Sequence, residues 1–152
     1  MQAILQSPFK TILLMGFVAG TLDILSAIFL LAKGNALFIL KFVASGALGD
    51  TTKNGGDIMA LYGLIFHYII AFSFAIGYFW VYPKLPILSK NVFASAFFYG
   101  IFVWTFMNYV VLPFTQIPAR PFVLESALKN AGILIYAIGL PIAYFTNLYY
   151  QK

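Results

Sequence analysis

Residues 58–82 read IMALYGLIFHYIIAFSFAIGYFWVY, an apolar run without a single Asp, Glu, Lys or Arg. A helix rises about 1.5 Å per residue and a bilayer core is about 30 Å thick, so a run of this length crosses a membrane. Its closing aromatics, Tyr78, Trp80 and Tyr82, are expected to anchor it at the lipid–water interface. Working outward, three further stretches have the same character: residues 11–32 between Lys10 and Lys33, residues 92–112 ahead of Pro113, and residues 127–150. Each crossing takes about 20 residues, so four of them leave only short connections in a chain of 152. The composition agrees, with 62% hydrophobic and 9% charged residues, far from the soluble pattern of about 25% charged. The expectation is an all-α polytopic membrane protein, one membrane domain over residues 1–152 with four transmembrane helices.

Between the first two spans, residues 35–48 are apolar, carry Lys41 and are too short to cross, which predicts a re-entrant or interfacial helix. The loop 49–57 is rich in Gly, Thr, Asn and Asp and belongs in water or among headgroups. The fourth helix is expected to begin near Pro121, with Glu125 and Lys129 as an i, i+4 pair and a kink at Pro141. The first helix shows no small-residue cleavage site and reads as retained. Spans one and two share no motif with spans three and four, so the inverted-repeat transporter plan finds no support.

The chain has no cysteine, which removes disulfides, thiolate zinc sites, Cys-ligated clusters and c-type haem. The net charge of +5 comes from cations scattered between spans, so membrane lipids with anionic headgroups are the expected partner and nucleic acid is not. Both termini fall on one side. That side holds Lys10, Lys84, Lys90 and Lys152, against Lys33, Lys41, Lys53, Arg120 and Lys129 on the other. Four against five leaves orientation undecided; pairing of Lys129 with Glu125 tilts the termini toward the cytoplasm.

Polar residues inside the spans carry the functional expectation. Asp23 lies on a face with Gly16, Ala19, Gly20 and Ala27, a G-x-x-x-G pattern that lets another backbone approach. In span two, Gly63, His67, Ala71 and Ala75 follow four apart and set the chain's one histidine on a small-residue face. Counted from the loop between these spans, Asp23 and His67 both lie roughly 13 Å deep. They can pair, and Thr105, Asn108 and Asn130 are the further candidates for a polar cavity with them. An intramembrane acid tends to mark a proton or solute path, while an Asp–His bond also serves plain helix packing. A hydrolytic triad of Ser45, His67 and Asp23 lacks the Gly-x-Ser-x-Gly context. One histidine without cysteines makes a poor metal site, and no cofactor is expected.

The residues Gly-Thr-Leu-Asp at 20–23, Phe-Val-Ala-Ser-Gly-Ala-Leu-Gly at 42–49, Gly55-Gly56 and Gly-Leu-Ile-Phe-His-Tyr at 63–68 resemble the small bacterial inner-membrane proteins of the YagU type. The resemblance covers the first half of the chain. It implies four spans in a bacterial inner membrane, with Asp23 and His67 on matching motif positions, and it implies no reaction. The functional expectation is a proton-coupled channel or transporter component, acting as a homo-oligomer or within a larger complex. The alternative is a non-catalytic accessory or lipid-binding subunit.

Overall fold

The computed structural model describes residues 7–118 and 121–151; Arg120 and Lys152, two of the cations counted above, lie outside them. The described residues are helical and contain no strand. Span 1 is α1 (Pro8–Ser26) continued by a π-helical turn, Ala27–Leu31. The short helix α2 (Ala36–Leu48) follows, then one turn, α3 (Thr51–Asn54), inside the loop. Span 2 is α4 (Ile58–Val81), and α5 (Ile87–Lys90) lies in the connection to span 3. Span 3 is α6 (Val92–Phe106) with a π-helical turn, Met107–Val111. Span 4 joins α7 (Leu124–Leu134), a π-helical turn (Ile135–Gly139) and α8 (Leu140–Tyr150). These are four helices long and apolar enough to cross a membrane, with one shorter apolar helix between the first two.

Local chemistry sets the ends. Pro8 opens span 1, where its missing N–H costs no helical bond. The Asn35 and Asn91 side chains accept from Phe38 N and Ala94 N, each at 3.0 Å, and start α2 and α6. After span 1 the chain reverses through Lys33 and Gly34, with φ of 52° and 91°. The fourth helix starts at Leu124 rather than near Pro121, because Val123 is extended at φ −121° and offers no capping oxygen. At Pro141 span 4 does not break. The π-helical turn just before it reorganises the ladder where proline supplies no N–H.

Lipid gives helices little hydrophobic reason to associate, so close backbone approach and hydrogen bonds hold the bundle together. Span 1 packs on spans 2 and 4, and span 3 on span 4. Spans 2 and 3 meet through side chains: Tyr99 Oη–H donates to the Phe74 carbonyl at 2.7 Å and the Tyr78 and Tyr99 rings lie 4.5 Å apart. A Cβ on Gly139 would strike the Ala96 carbonyl, and one on Gly100 the Ile135 backbone, so these glycines let spans 3 and 4 touch. The core holds Met15, Ala19, Ala75, Tyr78, Phe79, Tyr82, Ile138 and Ile142. Tyr78 and Tyr82 are therefore interior, because they continue the Ala71–Ala75 face at helical spacing; Trp80, 68% exposed, points outward as an anchor should.

Candidate functional site

The small-residue faces of spans 1 and 2 do meet. On the span 1 side, a Cβ at Gly16 would run into the Phe72 ring, and one at Gly20 would come within 2.9 Å of the Tyr68 ring and 3.1 Å of Ala71 Cβ. The absence of side chains at these two positions brings His67 against the backbone of span 1. Its Nε2 lies 2.7 Å from the Gly20 carbonyl oxygen. A carbonyl can only accept, so Nε2 carries the proton. The other ring nitrogen, Nδ1, faces Asp23 Oδ2 at 3.9 Å. One residue along on each helix, Thr21 Oγ1 and Tyr68 Oη share a hydrogen bond of 2.7 Å, which fixes the register of the two spans beside the pair.

This geometry restricts the chemistry. With Nε2–H committed to Gly20, a neutral ring turns a lone pair toward the carboxyl group of Asp23. Two acceptors then face each other. A proton placed between them, on either partner, converts that opposition into an ion pair or a hydrogen bond once the gap closes by about 1 Å. The His67 side chain is 10% exposed, whereas the Asp23 side chain keeps 22% of its surface accessible. Asp23 is thus the outer member of the pair and His67 the enclosed one.

Two other candidates stand apart from this site. Thr105 and Asn108 are exposed and spend their polar groups on their own helix: Thr105 Oγ1–H donates to Ile101 O at 2.9 Å and Asn108 Nδ2–H to Trp104 O at 2.8 Å. Asn130 is half-buried on span 4. Ser45 bonds to Phe42 O at 2.7 Å within α2. No group of three or more His, Cys, Asp or Glu able to hold a metal occurs among the described residues.

On the far side of the core, near the termini, sequence reading passed over a second set of polar contacts. Asn147 Nδ2–H donates to Tyr82 Oη at 2.7 Å, and the Thr146 hydroxyl donates to Met15 Sδ at 3.3 Å. Both span-4 residues are buried. Their presence in an apolar helix was the available signal; their partners lie far away in sequence.

The third region is α2. It packs along span 2, where a Cβ on Gly63 would collide with the Leu40 carbonyl. Its C-terminal carbonyls are met by the segment after span 3: Gln116 N–H donates to Gly46 O at 2.9 Å and Gln116 Nε2–H to Ala47 O at 2.8 Å. Lys41 reaches Asp57 at 3.0 Å.

Comparison of the chain with known protein families, with curated proteins and with solved structures gives no match.

Proposed function

We propose that this small integral membrane protein is a proton-coupled channel or transporter component whose proton-binding group is the Asp23–His67 pair. The observation that carries the reading is the commitment of Nε2–H to Gly20 O at 2.7 Å, which leaves Nδ1 facing an acid within the bundle. Acid–histidine pairs at such depth are costly and tend to mark proton paths. One four-span protomer is narrow for a pore, so the working unit is a homo-oligomer or part of a larger complex. The resemblance to YagU-type proteins supports a bacterial inner membrane. This reading puts the termini in the cytoplasm; in its support, Lys10, Lys84 and Lys90 are exposed on the terminal side, whereas on the opposite side Lys33 is exposed but Lys41 and Lys129 are tied to Asp57 and Glu125, at 3.0 and 2.6 Å.

The test is pH-driven proton or solute flux in proteoliposomes, with Asp23→Asn and His67→Ala run beside the parent chain. Loss of flux in both folded variants is the expected result. Flux untouched by either change, or absent from every sample, overturns the reading. A second reading, an accessory or lipid-binding subunit, draws on the same hydrogen bond to Gly20, which fastens span 1 to span 2 whether or not a proton moves. It predicts that both variants lose stability and leave the activity of a host complex intact.

A further inference from the structure

Along one face of span 2, Gly63 and His67 lie one helical turn apart, about 6 Å. Gly63 meets α2 through Leu40, and His67 meets span 1 through Gly20. The backbone of α2 therefore sits one turn from the Asp–His pair, on the side of the loop between spans 1 and 2.

α2 is seated closely on span 2, and three features would let it move as a unit. Only Ile39, Ala44 and Gly46 of its residues are buried. Glycines with positive φ stand on both sides of it, Gly34 at 91° before, Gly49 at 58° and Gly56 at 67° after, and such positions absorb backbone rotation. Among the described residues, two polar side-chain ties join it to other parts of the chain. The Lys41–Asp57 pair is open to solvent, with side-chain exposures of 31% and 79%, so it restrains weakly. The second tie is Gln116, which uses backbone and side chain together on Gly46 and Ala47. Gly49 has no side chain in the space that Gln116 fills.

We propose that α2 is a lid over the Asp23–His67 pair and that Gln116, carried by the segment between spans 3 and 4, is its latch. The proposal rests on the proton-linked reading of the pair and adds how access to it is controlled: the opposite half of the molecule holds the lid shut, so movement of span 3 releases it.

His67 is the chain's one histidine, and the chain has no cysteine, so two clean probes exist. Diethylpyrocarbonate modification of His67, read by mass spectrometry on the reconstituted protein, reports access to the ring. A Cβ on Gly46 would lie 3.6 Å from Thr115 Cβ, close to the ~3.8 Å typical of a disulfide. Gly46→Cys with Thr115→Cys therefore locks α2 when oxidised and frees it when reduced, in one and the same polypeptide. The oxidised form is expected to react several-fold more slowly than the reduced form. Gln116→Ala, which keeps the backbone bond and loses the side-chain bond, is expected to react about two- to tenfold faster than the parent. Equal rates in oxidised, reduced and Gln116→Ala proteins, with normal reactivity once the chain is unfolded, overturn the lid. Lid-dependent reactivity without any flux leaves the lid standing and removes the transport reading instead.

Discussion

His67 shows how one contact fixes the chemistry of a residue. Because the Gly20 carbonyl can accept but not donate, the ring is held as the Nε2–H tautomer whenever it is neutral. Nitrogen-15 NMR of histidine-labelled protein at alkaline pH is expected to show a protonated Nε2 and a bare Nδ1; the opposite tautomer would contradict the geometry. Asp23→Asn presents an amide N–H to Nδ1 in place of a carboxylate, so the neutral ring gains a donor. The expected signature at alkaline pH is an Nδ1 resonance displaced from the parent's by the new hydrogen bond. Tyr82 makes a second residue-level case. Removing its hydroxyl as Tyr82→Phe takes the partner from Asn147, both buried, and is expected to cost about 0.5–2 kcal/mol, measured by unfolding in mixed micelles.

At the scale of elements, glycines separate positions of contact from positions of exposure. Gly63 and Gly77 both lie in span 2, yet a Cβ at Gly63 meets the Leu40 carbonyl and a Cβ at Gly77 meets nothing within 4 Å. Gly63→Ala is expected to push α2 off span 2 and destabilise by about 1–3 kcal/mol, whereas Gly77→Ala is neutral or stabilising by up to about 1 kcal/mol through helix propensity. Thermal unfolding of the two variants side by side checks the contrast. The π-helical turns belong to this scale too. In span 4, Ile135–Gly139 precedes Pro141 and presents Gly139 to the Ala96 carbonyl, so the turn that accommodates proline also places the closest contact with span 3.

For the whole molecule, cationic ends and apolar walls decide how the bundle sits. Under the proposed orientation in a bacterial inner membrane, single cysteines introduced into the cysteine-free chain near Lys84 and near Lys53 are expected to label from opposite sides, the former only from the cytoplasm, with an impermeant thiol reagent on intact spheroplasts; the reverse pattern refutes that orientation. Span 3 turns Phe93 and Phe98 outward, at 75% and 69% exposure, as a lipid-facing wall should. The number of crossings, the short apolar helix between the first two, and the small-residue faces bearing Asp23 and His67 were legible in the chain alone, because hydropathy and helical period are local properties that survive whatever the neighbours are. The packing of the helices settles that His67 binds the Gly20 carbonyl, that Tyr78 and Tyr82 turn inward, that Thr105 and Asn108 are exposed and bond to their own helix, and that Gln116 bonds to the end of α2. Those facts depend on which helices are neighbours and in what rotation, and neither is written in the period of a single span: Gln116 and Ala47 share one hydrogen bond across 69 residues of chain, and nothing local to either announces the other.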